Sequence, residues 1–272
     1  MPAGAGGAAP AVATDLPAPV PFEAPRAWRA IDFISDLHLS EAMPTTFDAF
    51  AAHLAHTDAD AVFILGDLFE LWVGDDARDE PFARRCVQAL AAAAQERTVA
   101  IMGGNRDFLM GEALLADCGA RALPDPTLLT AFGKRVLLSH GDALCLADHA
   151  YQAFRRQVRS PAWLAQFLAR PLEERLAFAR QIREASEMRR QFDGEGAADV
   201  DPAAAMALLR EAGATTLVHG HTHRPASDTW PGGFVHHVLS DWDLDHGARA
   251  EVLRLTAEGF ARMPPGRGSD SR

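Results

Sequence analysis

Five short apolar runs in this chain each end directly in a cluster of Asp, His or Asn, and that repetition limits the fold more than any other feature. Ile31–Ser35 runs into Asp36-Leu37-His38, and Ala61–Leu65 into Gly66-Asp67. Thr98–Met102 leads to Gly103-Gly104-Asn105-Arg106-Asp107, and Lys134–Ser139 to His140-Gly141-Asp142. Thr215–Val218 leads to His219-Gly220-His221-Thr222-His223. Apolar runs of this length, bounded by turn residues, predict buried strands, and Phe234–Leu239 and Ala248–Leu255 read the same way. Helical patterns over Thr45–His56, Pro81–Glu96, Gly111–Asp117 and Pro202–Ala212 fall between them, the last behind an Asp201-Pro202 start signal. The alternation predicts a layered α/β fold of βαβ units. In such sheets binding groups gather at the carboxyl ends of strands, so the five clusters are expected to meet at one edge.

The residue types at that edge point to metal. In extended chain, residues i and i+2 face the same side, which pairs Asp36 with His38 and His221 with His223. Four histidines (His38, His140, His221, His223), two aspartates (Asp36, Asp67) and Asn105 suit Mn²⁺, Fe²⁺, Co²⁺ or Zn²⁺ better than Ca²⁺ or Mg²⁺. Seven donors exceed the needs of one open catalytic metal, whereas two metals sharing a carboxylate would use all seven. Any one of these histidines alone reads as a packing residue. The ordered set reads as metal ligands. His219 has the same period as His221 and His223, and is expected behind the ligands, with direct ligation as the alternative. His53, His56, His149, His236, His237 and His246 have no such context and are expected to pack or to face solvent.

Charge and composition narrow the partners. A formal net charge of −11 argues against broad nucleic-acid binding, which needs a basic face. Cys86, Cys118 and Cys145 are scattered without CxxC spacing, which implies neither a disulfide framework nor a thiolate zinc site. No apolar stretch approaches a membrane span. Residues 1–27, rich in Ala and Pro and interrupted by Asp15, are expected to form a disordered tail rather than a signal peptide, and residues 263–272 a second tail. One domain is expected over 28–262, in the cytoplasm, with no protein partner. Within it, the span from about 148 to 195 reads as helix throughout. From Asp148 to Phe192 it holds nine Arg, no Lys and five acidic residues, so it is locally basic inside an acidic chain. Tyr151, Phe154, Trp163, Phe167, Phe178 and Ile182 give it an apolar side, and it is expected to stand over the main domain as an insertion.

Read together, Asp-x-His, Gly-Asp, Gly-Asn-Arg-Asp, His-Gly-Asp and Gly-His-x-His resemble the calcineurin-like metallophosphoesterases, from Ile31 to about Trp242. The resemblance implies a β-sandwich flanked by helices, a helical cap insertion, and two divalent metals, with Mn²⁺ the expected ion. Carried over by motif, one metal takes Asp36, His38 and His223. The other takes Asn105, His140 and His221, and Asp67 bridges the two. Arg106 stands where most members carry a histidine able to assist the leaving group. An arginine does not give up its proton, since its pKa exceeds about 12, but its planar fork clamps phosphate oxygens. A departing phosphate needs no such proton, so Arg106 favours a pyrophosphate as substrate.

Three features are similar to the branch of that family acting on UDP-linked diacylglucosamine in lipid A synthesis. They are the run Gly66–Asp76, the run from His140 to Cys145 leading to Ala150–Arg155, and the helical insertion. This likeness implies a glycolipid-nucleotide substrate, split into UMP and a lipid sugar 1-phosphate by attack of metal-activated water on the α-phosphorus. It implies Arg106 as catalytic residue and Asn105, Arg106, Asp148, Arg183, Ser186 and His221 as substrate contacts. It also implies a lipid-binding cap lying against the anionic inner face of the inner membrane. Two stretches depart from the pattern, at Leu146-Ala147 and between Ser186 and Val200. A general phosphodiesterase or nucleotide pyrophosphatase is the second reading. A non-catalytic scaffold of the same fold is the third, opposed by a ligand set with no member missing. Asp107 or Asp142 is expected to orient ligand histidines from behind. Glu70, Asp75 and Asp76 read either as support for the site or as a solvated turn, and Ser240-Asp241-Trp242 as the close of a strand.

Overall fold

The structure, a computed structural model, describes residues 16–193 and 199–266, with side chains over 16–184 and 199–266. Two six-stranded sheets pack face to face. One has β2 (Ala30–Ile34), β3 (Ala61–Leu65), β4 (Thr98–Met102) and the short β5 (Arg121–Ala122) in parallel, extended beyond β2 by antiparallel β11 (Val252–Thr256) and β12 (Phe260–Met263). The other runs in the order β1 (Val20–Glu23), β6 (Thr127–Ala131), β7 (Lys134–Leu138), β8 (Thr216–His219), β10 (Phe234–Val238) and β9 (Ala226–Trp230).

Strand β3 shows how the layers arise. All five of its residues are buried, because both its faces are covered. Ala61, Phe63 and Leu65 point between the sheets, where they meet Phe33, Met102, Leu129, Leu138 and Leu253. Val62 and Ile64 point the other way, onto helices α1 (Pro44–His56), α2 (Pro81–Glu96) and α3 (Glu112–Cys118). The outer face of the second sheet is covered by α7 (Pro202–Ala212) through Ala205, Leu208 and Leu209 packing on Leu137 and Leu217. The result is the sandwich flanked by helices that the motifs implied.

Register sets the site. The parallel neighbours end level, with Ile34 opposite Ile64, Leu65 opposite Met102 and Leu138 opposite Val218. The clusters that follow these strands therefore emerge side by side at one rim.

Three helices, α4 (His149–Val158), α5 (Pro161–Leu168) and α6 (Leu172–Asp193), fill the basic span. Their starts follow the local chemistry. Asp148 caps α4 by accepting from Tyr151 N, and Ser160 caps α5 ahead of Pro161. Trp163, Phe167 and Phe178 then stack between α5 and α6, with Trp163 and Phe167 ring centroids 4.4 Å apart.

Two boundaries need correction. Strand β1 lies inside the stretch expected as a tail: Val20–Glu23 pair with Thr127–Thr130, and Phe22 packs edge-on against Phe63. Pairing with β6 outweighs a composition that reads as disorder. At the other end, Met263 closes β12, and Gly266 N donates to His53 Nδ1 at 3.2 Å. The remainder of both expected tails, 1–15 and 267–272, lies outside the described residues. Strands β1, β5, β6, β9 and β12 are absent from the periodicity reading. Several lie at sheet edges, where little alternation is needed because little is buried.

Candidate metal centre

The rim holds all seven expected donors. Two groups of side chains each bring their donor atoms within 4.8 Å of one another: Asp36, His38 and His223, and Asp36, Asp67 and His140. Asp67 stands between two imidazoles, its Oδ1 3.7 Å from His140 Nε2 and its Oδ2 4.0 Å from His38 Nε2. Asn105 Oδ1 lies 3.0 Å from His140 Nε2 and 2.8 Å from His221 Nδ1. Nε2 of His38 and Nε2 of His223 face each other at 3.2 Å. Nitrogens with lone pairs converging on one another and on carboxylates form a donor set that suits divalent cations.

The backbone is bent to make this possible. Of the six described non-glycine residues with positive φ, five are Asp36, His38, Asp67, His221 and His223. Such conformations cost roughly 1–3 kcal/mol each and persist where surrounding structure enforces them. Close backbone approach enforces them here. A Cβ on Gly104 would stand 2.1 Å from Asp67 Oδ1, and one on Gly220 would stand 2.2 Å from Asp36 Oδ2. Asp36 is gripped by the N–H of His221 at 3.0 Å and by Ser35 Oγ at 2.5 Å.

Electrostatics favour positive charge at the rim. Burial alone would lower the pKa of His140, but Asp67, Asp36 and Asp142 outweigh it and lift the value to about 9. His38 is raised in the same sense, with burial outweighed by Glu70, Asp67 and Asp36. His221 moves the opposite way, to about 4, because burial is reinforced by His140 and keeps the ring neutral. A field that holds protons on histidines is one that attracts metal cations.

The side chains behind the donors differ from those expected. Asp107 reaches no imidazole. It accepts from Gly104 N at 2.7 Å and from the N–H groups of Asp67 and Phe69, both at 3.2 Å, and so ties two donor loops together. Burial and the neighbouring Asp67 push its pKa up to about 7. Asp142 is taken by the insertion: it accepts from Tyr151 Oη at 2.5 Å and Arg155 Nε at 2.8 Å. His140 is oriented instead by the Leu65 carbonyl, 2.9 Å from Nδ1. His219 lies behind the ligands, with Nε2 2.6 Å from His236 Nε2 and its pKa lowered to about 3 by burial and by His236.

The expected substrate contacts are less gathered than the metal donors. The Arg106 N–H donates to Asp67 Oδ1 at 2.8 Å, and its guanidinium lies 3.9 Å from Glu70. Arg183, on α6, pairs with Glu70 at 2.9 Å. The Asp148 carboxylate is used as a helix cap. Ser186 lies in α6, its side chain outside the described ones.

Two carboxylates matter more here than their sequence context suggested. Glu70 Oε2 lies 3.1 Å from His38 Nδ1, and Asp241 Oδ2 lies 3.6 Å from His223 Nδ1. Neither sits in a spaced motif, so no local signal separated them from turn and strand-end residues. The sequence did point to Tyr151 through the run at 150–155. Its ring lies over His221, with centroids 5.9 Å apart, and so brings α4 to the rim.

A sandwich with such a rim defines a phosphoesterase. A profile of the family described as Calcineurin-like phosphoesterase matches residues 30–225, and the chain belongs to that family, whose members use divalent metal ions. Its curated relatives include the UDP-2,3-diacylglucosamine hydrolase of Chromobacterium violaceum, 46% identical over 246 residues that span 87% of this chain and 99% of the relative. Proteins of the same name from Ralstonia nicotianae and Xanthomonas oryzae are 48% and 45% identical over 237 and 241 residues. These alignments span 82% and 84% of this chain and 88% and 96% of the relatives.

Proposed function

We propose that this chain hydrolyses the pyrophosphate of UDP-2,3-diacylglucosamine to UMP and 2,3-diacylglucosamine 1-phosphate, with Mn²⁺ as its divalent ion, in lipid A synthesis. The observation that carries this reading is Arg106 at the rim beside a seven-donor cluster, in a chain alignable almost end to end with relatives bearing that substrate's name. Asp36, His38 and His223 would hold one ion, Asn105, His140 and His221 the other, with Asp67 between. When bound, the ions supply Lewis acidity toward a phosphate oxygen and toward the attacking water.

The chain's own residues supply the rest. Arg106 presents a guanidinium where negative charge grows on phosphate oxygens, and it asks for no proton in return. The leaving group is itself a phosphate and departs as an anion, so the lack of a general acid at this position costs little. Asn105 and His221 stand at the same rim, and Arg183 reaches toward it from α6. Exposed Leu168 and Ile182, beside the aromatic cluster of Trp163, Phe167 and Phe178, offer an apolar surface for acyl chains. Among the described residues no helix is long and apolar enough to cross a membrane. The basic, apolar insertion suits instead the anionic inner face of the inner membrane, with the body in the cytoplasm.

The test compares substrates. With Mn²⁺ present, turnover of UDP-2,3-diacylglucosamine is expected to exceed that of bis(p-nitrophenyl) phosphate by orders of magnitude. Comparable rates on both would favour a general phosphodiesterase.

A further inference from the structure

Glu70 belongs to neither set of metal-facing donors, yet it lies against His38, Arg106 and Arg183. Its side chain is 17% exposed. A short ladder beyond the strand ends fixes its place: His38 N donates to Asp67 O, Leu39 N to Leu68 O, and Glu70 N to Leu39 O at 3.1 Å. The two carboxylate oxygens then face different partners. Oε2 lies 3.1 Å from His38 Nδ1, while the opposite nitrogen of that ring faces Asp67 and His223. Oε1 lies 2.9 Å from Arg183 Nε on α6 and 3.9 Å from Arg106 Nη1 on the body.

We propose that Glu70 is a positioning residue that fixes the His38 ring for the metal cluster and joins Arg106 to Arg183 as one receptor for the substrate's phosphates. The first duty follows from imidazole chemistry. A neutral ring carries one N–H, and a carboxylate 3.1 Å from Nδ1 favours the proton on that nitrogen by charge, leaving the lone pair on Nε2. The second follows from charge. Two guanidinium groups from separate elements repel unless an anion stands between them, and Glu70 is that anion. The receptor half rests on the pyrophosphate reading above, whereas the His38 half does not.

The full-length chain, stripped of metal, allows the two halves to be tested apart. Glu70→Ala is expected to weaken Mn²⁺ binding in calorimetric titration roughly 10–100-fold, whereas Arg183→Ala leaves it unchanged. Both variants are expected to raise KM for UDP-2,3-diacylglucosamine about tenfold. The double variant should raise it by less than the product of the two. Glu70→Gln keeps the side chain's shape and an acceptor for His38 but loses the charge. It should recover most of the Mn²⁺ affinity and none of the KM, which a merely structural role would not produce. Unchanged Mn²⁺ affinity in Glu70→Ala would overturn the His38 half. Independent, multiplying effects on KM would overturn the receptor half. A wild-type chain that binds Mn²⁺ but does not turn over the lipid nucleotide would also overturn the receptor half, and the Mn²⁺ titrations would still decide the other.

Discussion

The metal rim and the helical insertion lie against each other but are held in opposite ways. At the rim, donors follow directly from level strand ends. They sit in left-handed backbone pinned by glycine contacts and are braced by Leu65, Glu70 and Asp241. The insertion is moored at discrete points, most of them an arginine or tyrosine reaching a body carboxylate or carbonyl, with Gln152 donating to the Asp142 and Cys145 carbonyls besides. Arg155 and Tyr151 reach Asp142, Arg159 reaches Gly104 O, Arg175 reaches Asp76 and Val73 O, and Arg183 reaches Glu70. The donor cluster is thus built into the sandwich, while the insertion hangs on a few polar moorings. A change at the rim should cost activity, and one in the insertion should cost its placement.

The largest effect is expected from Asp67→Ala, which removes the carboxylate between the two donor groups. It should lower kcat/KM by at least about 10³-fold in steady-state assays with little change in melting temperature. A loss smaller than tenfold would break the assignment of the rim. Next comes the Arg175 mooring, where burial is one-sided: Arg175 is 2% exposed and Asp76 is 55% exposed. Asp76→Ala takes the carboxylate from a buried guanidinium, leaving it the Val73 and Arg170 carbonyls, and should cost up to about 3 kcal/mol in denaturant unfolding. Arg175→Met removes the buried charge itself, leaving a solvated carboxylate and two carbonyls without that donor, and should cost less. The reverse order would show that the arginine's packing, and not its charge, holds α6.

A third prediction lies outside both regions and serves as their control. Burial, set against the nearby Asp32 and helped by Arg254 and Arg97, lowers the pKa of His53 to about 4, from 6.5 in an unfolded chain. Between these values the unfolded state binds the proton and the folded state does not, so stability falls as pH drops from 6.5 to 4. The His53 share is about 3 kcal/mol. His53→Gln should flatten that part of the stability–pH curve, and an unchanged slope would place the acid sensitivity elsewhere. The smallest effect is expected at the insertion's exposed apolar residues. Leu168 and Ile182 are 45% and 37% exposed, whereas Phe167 is buried at 3%. Leu168→Asp with Ile182→Asp should reduce sedimentation with anionic vesicles by a few fold and leave Mn²⁺ content intact. Equal sedimentation would separate the insertion from the membrane.

The same contrast explains what could be read from the chain in advance. Strands β3 and β4 and helices α2 and α7 match their expected limits at both ends, because buried apolar runs and Pro at a helix start are local signals. The donors were legible for the same reason: Asp36 and His38, or His221 and His223, are specific combinations at strand ends. Glu70 was legible only as one of two readings and Asp241 only as the close of a strand, since each becomes important when chain distant in sequence folds against it. The pairing of residues 39 and 69 brings Glu70 to His38, and the segment after β10, 239–242, brings Asp241 to His223. Strand β1 was hidden by composition, as Val20–Glu23 gains its structure only from β6. Asp142 was one of two candidates to orient a ligand histidine and turned out to serve α4, because Arg155 and Tyr151 arrive from a helix whose packing no spacing rule foretells.

The most direct test of the whole account is hydrolysis of UDP-2,3-diacylglucosamine by the Mn²⁺-loaded chain in water enriched with ¹⁸O. Label is expected in UMP and not in the lipid 1-phosphate if water attacks the α-phosphorus as proposed. Label in the lipid phosphate would reverse the direction of attack, and no turnover of this substrate would contradict the proposed function itself.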